Sequence, residues 1–341
     1  MKQYSKQILS LAAAGALALS LTACSGEGTA QTPSVGSSGD SAGGEGYRIA
    51  IVQQMDHASL DEIRTAVEAE LDAKAAELGI TITYEEFNGQ NDQSLLNQIG
   101  AQIVSDDYDA VIPIASLAAQ CMVNATEDQG TPVIYAAVSD PETAGLTGID
   151  RVTGTSDALN TQFILDMMIA QDPDLQTVGL LYSPSEPNSE TPIAQAKAYL
   201  DEKGIPYVEK TGTTADEVIA AAASLCGEAD AVFTPTDNTV MAVELTIAET
   251  FAQAGVPHYT GADSFVRNGA YATCGVNYTE LGTYTADMAV EVLQTGEVPE
   301  YHVMDGGIIT VNTDTAQALG LDYSVFADMA ATVNEVVTTE E

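Results

Sequence analysis

DAVIPIAS (residues 109–116) and DAVFTPTD (residues 230–237) match position for position, and their reading decides the fold. Each runs through a short apolar stretch suited to a buried strand and ends in a small polar residue that opens a helical pattern. Around the first copy lie YRIAIVQ (47–53), a helical stretch over 59–78, ITITYEEF (80–87), a helix near 92–105, a helix over 117–127 and PVIYAAV (132–138). Around the second lie TVGLLYS (177–183), a helix near 190–203, IPYVEKT (205–211), a helix over 215–226, one over 239–254 and VPHYTGA (256–262). TPVIYAAVSD (131–140) also finds its counterpart in GVPHYTGADS (255–264). Alternating strands and helices, used twice, predict an α/β chain of two lobes of one topology with parallel sheets.

Composition narrows the function. The chain has 341 residues, 45% apolar and 18% charged, enough for about two packed domains. Against 50 acidic residues stand 10 basic ones, a formal charge of -40, which repels a phosphate backbone and excludes nucleic acid as a partner. Three histidines and no tryptophan leave few groups for acid–base or metal chemistry. No cofactor or metal is called for: Cys121, Cys226 and Cys274 form no CxxC and have no histidine at zinc-ligand spacing. They read as small buried hydrophobes, with a Cys226–Cys274 bridge as the alternative.

The amino terminus, MKQYSKQILSLAAAGALALSLTAC, places Lys2 and Lys6 before an apolar run from Ile8 to Leu21 and reads as a secretory leader over residues 1–23. Leu21-Thr22-Ala23-Cys24 resembles the bacterial lipobox, which makes Cys24 the expected lipid anchor on the extracytoplasmic face of the cell membrane. The Gly/Ser-rich stretch over 24–46 then reads as a tether with a reach of about 25 Å.

In open parallel sheets, ligands bind beyond the carboxyl ends of the strands, where helix N-termini present unpaired N–H groups. That rule selects Gln54, His57, Ser116, Ala118, Ser139 and Asp140 in the first lobe, and Glu186, Asn188, Ser189, Thr236, Asp237, Asn238 and Asp263 in the second. Two readings stand beside each other at most of these positions. Asp237 and Asn238 cap a helix, or hold a ligand ammonium and orient it with an amide. Ser116 caps its helix, or helps the N–H groups of Leu117 and Ala118 receive a carboxylate. Asp140 starts a turn at Pro141, or meets an ammonium when the lobes close. Glu186, Asn188 and Ser189 form a loop and cap around Pro187, or reach the ligand. Tyr135, Tyr182, Phe265 and Tyr278 belong to the core or form an aromatic wall. His57 follows Asp56, but no G-x-S-x-G context accompanies it, and the chain is not expected to be an enzyme.

The stretches VSDPETAGL (138–146), YSPSEPNS (182–189), PTDNTV (235–240), YATCGVNYTELGTYTADMAVEVLQTGEVPE (271–300) and VNTDTAQALGL (311–321) resemble the ABC-transporter substrate-binding proteins related to tryptophan- and tyrosine-binding lipoproteins. The resemblance runs from about Tyr47 to Leu321. It implies the type I periplasmic-binding architecture, two Rossmann-like lobes with parallel sheets joined by three crossings that close on a ligand by hinge bending. The implied routing assigns residues 47–139 and 277–298 to lobe 1, residues 140–276 and 299–330 to lobe 2, and residues 331–341 to an acidic tail. It further implies a monomeric receptor that passes a small solute, an aromatic amino acid, to a membrane permease powered by a separate ATPase. A sensory module for a membrane receptor or kinase, or a receptor for a sugar or another small solute, would use the same fold.

Overall fold

A computed structural model describes residues 46–339, so the leader, Cys24 and the tether up to residue 45 lie outside the described residues. The chain begins β1 (Gly46–Gln53), α1 (Ala58–Leu78), β2 (Thr81–Asn88), α2 (Gln93–Asp106), β3 (Ala110–Ile114), α3 (Ser116–Ala125), β4 (Val133–Tyr135) and β5 (Val152–Ser156). It continues through α4 (Thr161–Gln171), β6 (Val178–Tyr182), α5 (Pro187–Lys203), β7 (Tyr207–Thr211), α6 (Ala215–Leu225), β8 (Ala231–Thr234), α7 (Asn238–Met241), α8 (Glu244–Ala254), β9 (His258–Thr260), α9 (Asp263–Arg267) and β10 (Ala272–Gly275). It ends with α10 (Tyr278–Thr295), β11 (His302–Val303), β12 (Ile308–Asn312), α11 (Thr313–Leu319), a single 3-10 segment (Ser324–Asp328) and β13 (Val333–Val336).

Two sheets result, ordered β11-β5-β4-β3-β1-β2 and β13-β12-β10-β9-β8-β6-β7. The first is parallel throughout, and the second is parallel apart from the β10–β12 pair. Ile49–Val52 and Ala110–Ile114 are buried on both faces, as a sheet covered by helices on each side requires. α1 packs along α10 on one face of the first sheet, and α2 with α3 covers the other. This is the two-lobed α/β fold expected from the repeated strand motif.

The routing differs from the expected boundaries in three places. β5 pairs with β4 in register Val133↔Val152, so residues 140–156 belong to lobe 1 and the first crossing lies at 157–160. The strand Val152-Thr-Gly-Thr-Ser156 has one aliphatic residue, so no apolar run marks it. Gly154 lets it lie against β4, because a Cβ there would stand 2.0 Å from the Tyr135 carbonyl oxygen. β11 pairs with β5, so the last crossing falls beyond Val303 rather than at Pro299. Residues 333–336 are an edge strand parallel to β12, not an acidic tail. The helix expected over 239–254 is divided into α7 and α8, with Ala242 and Val243 between them. Cys121, Cys226 and Cys274 are free thiols; Cys226 packs at the end of α6 and Cys274 in a separate core around β10, so the bridge is not formed.

Candidate ligand cleft between the lobes

Strand ends from both sheets converge. Lobe 1 contributes Gln54 after β1, Ala115 after β3, Ser139 after β4 and Asp157 after β5; lobe 2 contributes Thr236–Asn238 after β8 and Ala262–Ser264 after β9. Tyr278, at the start of α10, also lines the cleft. The lobes bond directly across this cleft. His57 Nε2 donates to Asn238 Oδ1 at 2.9 Å, the Ser139 and Thr236 hydroxyls meet at 3.2 Å, and the Ser59 hydroxyl bonds that of Ser264. Leu60, Ala115 and Ala137 continue one apolar cluster with Met241, Ala262 and Phe265 of the other lobe. The enclosed space is about 20 Å³, room for about one water molecule. A guest of amino-acid size therefore enters only as the lobes part.

The lobe 1 wall is held in uncommon backbone conformations. Ala115 has φ 80° and ψ 160°, and Ala137 has φ 54°. Both regions crowd a Cβ and cost about 1–3 kcal/mol each. The turn at Ala115 starts α3 immediately at Ser116, whose buried hydroxyl has no partner. The first N–H groups of α3 have no intrahelical acceptor, and that of Leu117 is taken by Gln54 Oε1 at 3.3 Å.

Acids dominate the cavity. Asp157 is buried; its oxygens accept from Ser139 Oγ at 2.8 Å and Tyr278 OH at 3.1 Å, and burial raises its pKa. Asp237 is fully buried, and desolvation together with the nearby Glu186 charge pushes its pKa up to about 7. Its carboxylate caps α7 at Val240 N (2.9 Å) and accepts from Ser183 N (2.6 Å) and Ser189 Oγ (2.7 Å). Burial lowers the His57 pKa, and its Nδ1 is buried without a partner. With Nε2 donating to Asn238, Nδ1 is a bare acceptor. Among the described residues, those lining the cavity include no lysine or arginine.

Of the residues expected at the site, the cavity gathers His57, Ser139, Asn188, Thr236, Asp237 and Asn238. Gln54 and Glu186 lie beside it and bond each other across the lobes at 3.2 Å. Ser189 is committed to Asp237, and Ala118 is packed in the core under α3. Asp140 accepts from Thr143 N at 2.9 Å and, across the lobes, from Thr191 Oγ1 at 2.6 Å. Burial opposes its ionisation, but these bonds hold its pKa below the usual carboxylate value. Asp263 starts α9 and pairs with Arg267. Of the aromatic wall, Phe265 and Tyr278 face the cavity; Tyr135 is in the core, and Tyr182 donates to Glu209 at 2.9 Å. Sequence reasoning passed over Asp157, which follows the unmarked strand β5. It also passed over Asn91, which sits in the polar turn NGQND with φ 53°, a conformation that asparagine tolerates.

Comparison with known proteins places these features in context. A family model described as ABC transporter substrate binding protein matches residues 48–332. A tyrosine-binding protein of Clostridioides difficile (strain R20291) is 32% identical over 326 residues, covering 93% of each chain. An ABC domain in complex with L-Trp from Streptococcus pneumonia superposes with a TM-score of 0.79 at 29% identity, covering 85% of this chain and 100% of that one. The ligand-free, open structure of a substrate binding protein with adhesive properties from Clostridium difficile gives a TM-score of 0.65 at 31% identity, covering 86% and 100%. The lower score against the open relative, despite similar identity, agrees with the direct bonds that join the two lobes here.

Proposed function

Because the chain belongs to the ABC transporter substrate-binding protein family, we propose that it is the extracytoplasmic receptor of an importer and captures an aromatic amino acid between its lobes. The carrying observation is the cavity's charge: two buried carboxylates, Asp157 and Asp237, with no cationic side chain beside them. A buried carboxylate without a cation favours a guest that brings one. Each carboxylate has about four lone-pair positions. Asp157 gives up two of them to neutral hydroxyls and Asp237 three to donors, so Asp157 has more capacity for an ammonium.

The opposite end of a zwitterion suits lobe 1. The start of α3 carries partial positive charge, and the unpartnered Ser116 hydroxyl adds a donor. The bare His57 Nδ1 accepts from a ligand donor, and Phe265 and Tyr278 provide flat apolar faces for a ring. The relatives named for tyrosine and solved with L-Trp support this choice of guest. In this reading the monomeric receptor is held at the membrane by lipid on Cys24 and delivers its cargo to a permease driven by a separate ATPase. No helix among the described residues is long and apolar enough to cross a membrane. Calorimetry with an amino-acid panel, together with mass spectrometry of small molecules released on unfolding, tests the proposal. Heat and co-purified tyrosine, tryptophan or phenylalanine are expected; no heat from any amino acid overturns it. Metabolic labelling with palmitate, lost in Cys24→Ala, tests the anchor.

A further inference from the structure

We propose that Glu186 is the centre of an interlobe clasp that sets how readily the lobes close, rather than a contact to the ligand; as a statement about affinity this rests on the receptor reading above. Glu186 precedes α5 at the rim of the cleft, is 3% exposed, and does not line the cavity. Four neutral side chains surround its carboxylate. From its own lobe, Asn238 Nδ2 and Thr239 Oγ1 each donate at 2.9 Å. From the opposite lobe, Gln54 Nε2 donates at 3.2 Å and Asn91 Nδ2 at 3.4 Å.

The donors are aimed by a chain of further bonds. Leu117 N, at the start of α3, donates to Gln54 Oε1, which turns the Gln54 amide nitrogen toward lobe 2. That nitrogen also donates to Asn91 Oδ1 at 2.8 Å, and Asn91 Nδ2 reaches Thr239 Oγ1 at 3.1 Å. The backbone fixes Asn91 in place: its N–H bonds the Gln54 carbonyl at 2.9 Å, and Gly89 packs so closely that a Cβ would lie 2.9 Å from that same oxygen. On the lobe 2 side, Asn238 Oδ1 is occupied by His57, leaving its amide nitrogen for Glu186.

Parting the lobes removes Gln54 and Asn91 from the carboxylate together, so these bonds belong to the closed form alone. Hydrogen bonds to a charged, buried acceptor are the stronger kind. Their contribution acts on the closing equilibrium and therefore on the apparent affinity for every ligand alike.

The test uses the full chain and the variants Glu186→Ala, Glu186→Gln and Asn91→Ala. Small-angle scattering without ligand measures the closed fraction, and calorimetry with tyrosine, tryptophan, phenylalanine and their deaminated analogues measures affinity. Glu186→Ala and Asn91→Ala are expected to raise the ligand-free radius of gyration and to weaken all ligands by a common factor of about ten, with Glu186→Gln in between. An unchanged radius in Asn91→Ala and Glu186→Gln overturns the clasp. So does a loss in Glu186→Gln confined to ligands that carry an amine. If no amino acid binds at all, the receptor reading fails, and the scattering measurement still decides the clasp.

Discussion

The two copies of the strand motif end in different chemistry. DAVIPIAS leads into the ten-residue helix α3 with no capping side chain, a strained alanine at the turn, and Ser116 without a partner. DAVFTPTD leads into the four-residue helix α7, whose cap is the buried Asp237. One copy sets the start of a helix, with its partial positive charge, beside the cleft, the other an acid. A duplicated element that keeps its backbone plan while its last residues diverge produces two faces of opposite electrostatic character. That pairing suits a guest with a charge of each sign.

The sharpest way to break this comparison is at Asp237. Asp237→Ala leaves Ser183 N–H, Val240 N–H and the Ser189 hydroxyl without an acceptor, and is expected to cost about 2–4 kcal/mol. A denaturant titration checks this; a loss under 1 kcal/mol would show that the cap is dispensable. Asp157→Asn keeps an acceptor for one of the Ser139 and Tyr278 hydroxyls, turns an N–H donor toward the other, and removes the charge. It should weaken amino acids by about tenfold or more while sparing their deaminated analogues, as calorimetry will report.

Acidity addresses the same face. The Asp237 pKa is raised to about 7, so between the ordinary carboxylate value and about 7 the folded chain holds a proton that the unfolded chain releases. The resulting stability is complete in acid and is lost as the pH rises through about 7, and Asp237→Asn should flatten that slope in thermal melts between pH 4 and 8. Ligand affinity should move the other way, rising with pH over the same window, because ionised Asp237 adds negative charge to the cavity in which Asp157 receives the ammonium. On the opposite face, Ser116→Ala should barely change stability, since the hydroxyl has no partner to lose. It should weaken amino acids several-fold and leave their amides unaffected. The smallest effect is expected at Ala115→Gly, which relieves the positive φ and should stabilise the fold by about 1 kcal/mol. A destabilised variant would mean that the turn is not strained.

Much of this architecture is legible along the chain, for definite reasons. Buried parallel strands such as Ile49–Val52 and Ala110–Ile114 are apolar runs because helices cover both faces, and the helices between them carry their own periodicity. β5 is invisible to that signal: its Thr, Gly and Ser residues are buried by tight packing on β4 and by the Thr155–Thr285 hydrogen bond at 2.7 Å, not by hydrophobicity. The lobe boundary was therefore misplaced at residue 140, and Asp157 was passed over with it. β11 and β13 are short and partly exposed, so their pairing comes from neighbours far along the chain.

The strand-end rule found much of the cleft because it depends only on topology, and topology is written in the order of strands and helices. By itself the amino-acid order determined the duplicated α/β plan, the acidic character, and many of the strand-end loops that meet at the cleft. Tertiary structure alone decided which acids in those loops are bare and which are occupied: Asp237 as a cap, Glu186 against Gln54 and Asn91, Asp140 against Thr143 and Thr191. The reason is physical. A side chain's chemistry is local, but its partners come from strands and loops tens to hundreds of residues away, and only folding sets the distances between them.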